Sequence, residues 1–457
     1  METIVAISTA TGNGGIGIIR MSGKKTFEII NKIFVPINKE STDIKGYSIK
    51  FGNIINPQTH EKIDEVLVSY FVNPKSYTKE DMCEINSHGG IMVEKAILKL
   101  CLENGAELAE PGEFTKRAFL NGRIDLAQAE SVIDLINAKS ENEAKASINQ
   151  LDGKLSRKIK NIREKLLDVM ADIEADIDYP EYDIEEVTNG KISNVLGEIK
   201  KDLIKLSSTF EDGKILKEGV KTIIIGKPNA GKSSLLNAIL DEERAIVSEY
   251  AGTTRDTIEE FVNIQGIPLK LIDTAGIRKT DDKIEEIGVK RALKLSDDAD
   301  LIIAIFDCSK DLDDEDLEIL NIIKDKKAII LLNKVDLGDL KLEKNEMIAN
   351  SCENIIKISA KNGDGIEDLY EKISSMFRKN EISMNEGVII TNIRHKNQID
   401  KAIKSVNEAI ASNESGLPID IVSIPIKQVL NDLSAITGED VSEDIINEIF
   451  SKFCLGK

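Results

Sequence analysis

The chain has 457 residues, 41% of them hydrophobic and 31% charged, with a formal net charge of −20. That length is too great for one core and predicts about three domains; the acidic balance excludes wholesale coating of nucleic acid, so any RNA contact must be local or shared with a partner. No apolar run approaches the roughly 18 to 20 residues of a membrane span, the start carries no basic signal region, and five scattered cysteines without C-x-x-C spacing indicate neither a disulfide framework nor a zinc ribbon, which leaves cytoplasmic residence as the expectation.

Thr3 to Ser8 reads as a strand, followed by Gly12-Asn13-Gly14-Gly15-Ile16-Gly17. The spaced glycines fit a dinucleotide fingerprint, but that fingerprint needs a helix next, and Ile16 to Met21 is β-branched and strand-like. A glycine hairpin between two strands fits better. Ser22 to Phe34 has helical spacing with Phe27, Ile30, Ile33 and Phe34 on one face, and Pro36 ends it. Strands are expected at Tyr47 to Ile55 and Glu65 to Val72, and a helix at Ile91 to Glu103. The result is an α+β domain ending near Arg117. Within it the polar stretches Tyr77 to Asp81, Ser87 to Gly90 and Pro111 to Arg117 read as loops and helix caps. His88 lacks a second histidine at metal spacing and is not read as a ligand.

From Asp125 to Ile177 the period lengthens. Ile148, Leu151, Leu155, Ile159, Ile162, Leu166, Met170, Ile173 and Ile177 recur at steps of three and four, which places them on one helical face, with Gly153 a point of interruption and Tyr179-Pro180 an end. The basic run Lys154 to Lys165 and the acidic run Asp172 to Glu186 read as solvated helix surface. A further helix is expected from Ile192 to Phe210.

The apolar run Val220 to Ile225 then leads into Gly226-Lys227-Pro228-Asn229-Ala230-Gly231-Lys232-Ser233. A strand, a glycine turn and a helix start aim backbone N–H groups and the positive helix end at one spot, the geometry that cradles a polyphosphate. Lys232 can neutralise phosphate oxygens and the Ser233 hydroxyl suits Mg²⁺. Strand-like runs follow at Glu260 to Ile264, Pro268 to Asp273, Leu301 to Asp307, Ala328 to Asn333 and Ile355 to Ile358, separated by helical patterns. Loops at their carboxyl ends carry the remaining chemistry. Thr254, in Gly252-Thr253-Thr254-Arg255-Asp256, offers a second Mg²⁺ ligand, and in Asp273-Thr274-Ala275-Gly276 the carboxylate backs the metal while Gly276 N–H can reach the γ-phosphate. In Asn333-Lys334-Val335-Asp336 the carboxylate can accept from guanine N1–H and its amine, whereas adenine presents an acceptor there. Ser359-Ala360-Lys361 closes over the base. Ordered and spaced in this way, the set predicts GTP binding. Ile277 stands where Ras-like proteins carry a water-orienting glutamine, so the missing groups must come from elsewhere, with Arg278, Glu285 and Asn229 the candidates beside Lys232.

Over essentially its full length the chain resembles the MnmE (TrmE) family of tRNA modification GTPases. The resemblance rests on domain order, on Ala118 to Glu130, on the guanine motifs with Asn229 before Ala230-Gly231-Lys232, and on the terminal Cys454-Leu455-Gly456-Lys457. It implies a multidomain fold: an α+β N-terminal folate-binding and dimerisation domain (1–117), an all-α helical domain in two parts (118–215 and 378–457), and an inserted α/β Ras-like G domain (216–377). It further implies a homodimer working with a FAD-containing partner, MnmG (GidA), in a heterotetramer or larger complex, and acting on tRNA without a membrane. The implied activity is potassium-dependent GTP hydrolysis coupled to building the 5-carboxymethylaminomethyl group on the wobble uridine, with a 5,10-methylene- or 5-formyl-tetrahydrofolate donor. By position, Arg20, Glu80, Arg123 and Lys457 match the folate contacts, Arg123 standing where some members have lysine. The implied nucleotide contacts are Asn229, Ala230, Gly231, Lys232, Ser233, Ser234, Ser248, Glu249, Tyr250, Ala251, Gly252, Thr253, Thr254, Asp273, Thr274, Ala275, Gly276, Asn333, Lys334, Asp336, Ser359, Ala360 and Lys361. Asn229, Ser248, Tyr250 and Thr253 match the K⁺ positions, where the ion takes the place of an arginine finger, and Glu285 matches the residue that orients the attacking water indirectly. The rival expectation is a ribosome-assembly GTPase, which would share the G motifs but carry a basic RNA-binding module.

Overall fold

The computed structural model describes residues 2–10, 12, 14–37, 46–178, 185–241, 260–272, 296–338, 341–342, 345–377 and 388–457. They form two compact units, one of Met1–Ile136, Gln150–Tyr182 and Ile419–Lys457, the other of Asn137–Asn149 and Asp183–Pro418. Among the described residues no helix is long and apolar enough to cross a membrane.

In the first unit β1 (Ile4–Ile7), β2 (Ile16–Ser22), β3 (Phe34–Pro36), β4 (Tyr47–Ile55), β5 (Lys62–Phe71), β6 (Met82–His88) and β7 (Glu107–Leu108) form one sheet in the order β3-β4-β5-β6-β2-β1-β7. β1 and β2 pair antiparallel, as a glycine hairpin requires. Strand alternation places Val5, Ile19, Met21, Val68, Tyr70 and Ile85 on one face, under helices Thr26–Ile33 and Ile91–Glu103. On the other face Ile49, Phe51 and Leu67 are exposed. The register aligns Phe51, Leu67, Asn86 and Ile18 in one row and Ile49, Ser69, Glu84 and Arg20 in the next, so the Arg20–Glu84 pair shares that apolar face. Two stretches expected as loops and helix caps lie in regular elements: Ser87 and His88 end β6, and Glu113–Leu120 is a helix. A division after Arg117 therefore falls inside a helix, because Ala118 on its next turn is buried among Ile124, Leu126, Ala129 and the C-terminal Ile446, Phe450 and Phe453.

Gly153, at φ +76°, separates helix Glu141–Leu151 from helix Lys154–Asp178. In the latter Leu155, Ile159, Ile162, Leu166, Met170 and Ile173 are buried as the spacing predicts, and the helix packs along Ile419–Thr437. Ile148 and Ile177 are not buried, at 45% and 46% exposed. Ile148 lies on the separate preceding helix, and Ile177 lies on the last turn.

The second unit holds β8 (Val220–Ile225), β9 (Glu260–Ile264), β10 (Ile267–Leu271), β11 (Leu301–Asp307), β12 (Ala328–Asn333) and β13 (Ile355–Ile358), in the order β13-β12-β11-β8-β10-β9. All neighbours are parallel except β9 with β10. β11 and β12 are buried throughout, as central strands covered on both faces must be. Ile303 and Ile305 face helices Lys232–Asp241 and Ile366–Phe377, while Ile302, Ala304 and Phe306 face helix Asp314–Ile323, which gives two cores around one sheet. The expected helix Ile192 to Phe210 is two helices, Glu185–Ser208 and Phe210–Glu218. The first packs along Ile393–Glu414, with Asn413 Nδ2 donating to Ser193 Oγ at 2.8 Å and Ser207 Oγ to Asp400 Oδ1 at 2.8 Å, so the two run antiparallel. Helices from either side of the Ras-like G domain therefore pair, and the G domain is an insertion in a helical domain.

Candidate functional site

The phosphate-loop sequence leaves β8 at its carboxyl end, where ligands of doubly wound sheets bind. Gly226 passes so close to β11 that a Cβ would sit 2.6 Å from Ile305 O, and Gly231, at φ +112°, would place one 2.0 Å from Asn333 Nδ2. No side chain larger than hydrogen fits at either. Lys232 Nζ donates to Gly226 O and Lys227 O, both at 2.8 Å, so the ammonium is curled into the loop. Asn229 is exposed at φ +61°, and Ser233 and Ser234 are exposed on the first turn of helix Lys232–Asp241.

The base side is built around Asn333, which is 3% exposed. Its Nδ2 donates to Ala230 O at 2.7 Å and its Oδ1 accepts from Ala360 N at 3.0 Å, so one carboxamide ties the phosphate loop to the Ser359-Ala360 turn. Asp336 Oδ1 accepts from Ser359 Oγ at 2.8 Å, which turns the carboxylate toward that same turn. Lys334, held at φ +69°, donates to Asp307 Oδ2 at 2.6 Å. Burial pushes the Asp307 carboxyl up, but hydrogen bonds from Lys334 and Ser309 outweigh it and hold the group below its ordinary value. Lys361 is exposed beside the turn. Ser248, Glu249, Tyr250, Ala251, Gly252, Thr253, Thr254, Asp273, Thr274, Ala275, Gly276, Ile277, Arg278 and Glu285 lie outside the described residues. Asp307 escaped the sequence reading, although a carboxylate closing an apolar strand at its carboxyl end was a signal for it.

A second site lies in the first unit. A cleft of about 560 Å³ is lined by Arg20, Tyr77, Arg123, Gln128, Asp152 and Lys457 among others. The Arg123 guanidinium carbon stands 4.6 Å from the Tyr77 ring centre, and that of Arg20 stands 5.5 Å from it. Arg20 also pairs with Glu84 at 2.7 Å and donates to Gly456 O at 3.3 Å. The C-terminal tail is seated by Gly456, at φ +85°, whose added Cβ would meet Ile7 O at 2.4 Å, while Ser8 Oγ donates to Gly456 O at 2.9 Å. These contacts deliver Lys457 to the cleft. Glu80 is not among the lining residues: it accepts from Ser22 Oγ at 2.8 Å and pairs at 3.1 Å with Arg117, which is 4% exposed. Tyr77, read from sequence as part of a polar loop, supplies the aromatic surface. His88 Nδ1 lies 2.7 Å from Asp64, within a strand-end pair. Burial pushes the Cys101 thiol up to about 12 and raises Cys83 as well, so both behave as packing groups.

A parallel sheet wrapped on both faces, with a glycine loop opening a helix and an Asn-Lys-x-Asp turn tied to it, defines a P-loop GTP hydrolase. The chain matches the family model for the GTP-binding protein TrmE N-terminus over residues 3–123 and that for the MnmE helical domain over residues 126–454. It belongs to the MnmE family of tRNA modification GTPases. The tRNA modification GTPase MnmE of Acetivibrio thermocellus is 52% identical across 100% of this chain and 99% of its own length, and that of Clostridioides difficile 50% identical over 100% and 99%. A solved structure of Era with MgGDPNP and a segment of 16S ribosomal RNA is 28% identical over 41% of this chain and 66% of its own, with a TM-score of 0.28.

Proposed function

We propose that this chain is a potassium-dependent GTP hydrolase that, with a FAD-containing partner of the MnmG kind, helps build the 5-carboxymethylaminomethyl group on the wobble uridine of tRNA from a tetrahydrofolate one-carbon unit. The observation that carries the folate reading is one cleft lined by Lys457 and by Arg20 and Arg123, the two arginines standing over the Tyr77 ring. A flat pteridine finds an aromatic surface there and a glutamate tail finds cations. Glu80 acts on this reading by holding Arg117, rather than as a lining group. The exposed Ile49, Phe51 and Leu67, on two adjacent rows of the face that also carries Arg20 and Glu84, support a homodimer through this face.

On the nucleotide side, Lys232 is placed to exchange its two loop carbonyls for phosphate oxygens, and Asp336 to receive guanine N1–H and amine. The exposed Ser233 hydroxyl at a helix start fits Mg²⁺, with Thr254 as its second protein ligand. The exposed Asn229 carboxamide, at the mouth of the loop, fits a monovalent cation together with Ser248, Tyr250 and Thr253. A cation there supplies the positive charge that an arginine finger supplies elsewhere. Glu285 orients water indirectly and Arg278 contributes charge.

Calorimetric titration of the full chain with 5-formyltetrahydrofolate tests the cleft. Arg123→Ala is expected to weaken binding by about tenfold, the loss of one charge-assisted contact; unchanged affinity would remove Arg123 from the site, and no binding to the parent chain would remove the folate reading. Steady-state GTP turnover at equal ionic strength is expected to be faster in KCl than in NaCl by on the order of tenfold or more, with the difference lost in Asn229→Ala. Equal rates in the two salts would take the cation out of the mechanism.

A further inference from the structure

Lys227 is a side chain that no nucleotide role requires, yet it is among the most firmly held in the phosphate loop. Its Nζ pairs with Asp313 Oδ2 at 2.6 Å and Asp316 Oδ2 at 2.7 Å. Those carboxylates form the N-terminus of helix Asp314–Ile323: Asp313 Oδ1 accepts from Asp316 N, and Asp316 Oδ2 accepts from Asp313 N, each at 3.2 Å. The lysine end is 18% exposed and Asp316 7%, so the clamp is partly shielded from water. Burial alone would lower the lysine, but the two carboxylates outweigh it and hold Lys227 protonated, with its value raised.

What the clamp holds is the Lys227 backbone. Lys227 O accepts from Lys232 Nζ at 2.8 Å and from Ala230 N at 3.2 Å, so the carbonyl that seats the loop lysine belongs to the residue whose side chain is anchored outside. Immediately after it the chain turns through Asn229 at φ +61°. Asn333 Nδ2 holds the far side of this turn at Ala230 O, and the Lys227 side chain ties its near arm to a neighbouring element.

We propose that Lys227 is a positioning residue for nucleotide binding: its ion pairs with Asp313 and Asp316 pin the outer arm of the phosphate loop to the helix that follows β11 and preset the Lys232 seat. The proposal rests on Gly226 to Ser233 being the phosphate loop. Because the preset loop serves ground state and transition state alike, its loss falls on KM and leaves kcat nearly unchanged.

The test is fluorescent-GDP binding and steady-state GTP turnover on the full chain. Lys227→Ala is expected to weaken GDP binding and raise KM for GTP by about tenfold, with kcat within about twofold of the parent. Lys227→Arg, whose guanidinium reaches two carboxylates at once, is expected to restore both values. Asp316→Asn keeps an oxygen to accept from Asp313 N but removes the charge; it should act in the same direction, and the Lys227→Ala/Asp316→Asn double variant should be no worse than Lys227→Ala. Parent-like affinity in Lys227→Ala, a loss confined to kcat, additive losses in the double variant, or failure of arginine to rescue would each overturn the proposal. Should Lys227→Ala not fold, the same reading is made on Asp313→Asn, where Asp313 is largely exposed and its cap oxygen is retained. Lys232→Ala separates the underlying reading: if it binds nucleotide like the parent, the phosphate-loop assignment fails, whereas its loss beside an indifferent Lys227→Ala sinks the clamp alone.

Discussion

Asp336→Asn is expected to weaken GTP binding by about 10²-fold and to improve binding of xanthosine triphosphate. Hydrogen bonds to a charged group contribute about 1.5–3 kcal/mol each, and asparagine both removes the charge and turns one acceptor into a donor that faces the guanine amine. Xanthine carries a carbonyl where guanine carries that amine, so the new donor finds a partner. The substitution is local, because asparagine keeps an oxygen to accept from Ser359 Oγ, now 2.8 Å from Asp336 Oδ1. Competition of GTP and xanthosine triphosphate against a fluorescent guanine nucleotide reads the change. An unaltered order of preference would remove Asp336 from the base pocket.

Gly231→Ala is expected to reduce GTP turnover by about 10²-fold or more and to destabilise the fold by about 2–4 kcal/mol, the sum of a left-handed backbone term and the disruption of a buried hydrogen-bonding group. At φ +112° an alanine methyl would lie 2.0 Å from Asn333 Nδ2, and Asn333 has no room to retreat because it bridges Ala230 O and Ala360 N. The displaced carboxamide would release the phosphate loop and the base turn together. Gly416→Ala is the matched control: its φ is +65° and its added methyl meets nothing within 4 Å, so it should cost about 1–2 kcal/mol of backbone strain and leave turnover unchanged. Urea unfolding and GTP turnover of both variants check this. Parent-like turnover in Gly231→Ala would show that the Asn333 bridge does not hold the site.

Residues close together in sequence were legible as site elements, and residues brought from afar were not. Gly226 to Ser233 could be recognised because strand, turn and helix start are contiguous, and the anchor strands could be placed because fully buried parallel strands read as unbroken apolar runs. Asn333, by contrast, was legible as a base-side residue but not as the bridge between Ala230 and Ala360, 103 and 27 residues away. Glu80 matches a folate contact by family position, and only the fold shows that it pairs with Arg117 at 3.1 Å. Only the start of the helix at Glu113–Leu120 is legible, as a loop and helix cap, because its first turn is polar.

By itself the sequence determined the guanine-nucleotide chemistry, the alternation of strands and helices in the G domain, and the glycine hairpin between β1 and β2. Each depends on local periodicity or on backbone conformations that only glycine enters freely. Tertiary structure alone decided that Gly456 carries Lys457 into the cleft beside Arg20, that Tyr77 supplies the ring under Arg123, and that Lys227 is anchored on Asp313 and Asp316. The Arg20–Gly456 contact among them joins residues 436 positions apart. Side-chain partners at such separations are set by packing of the whole fold, which leaves no period or spacing in the sequence to reveal them.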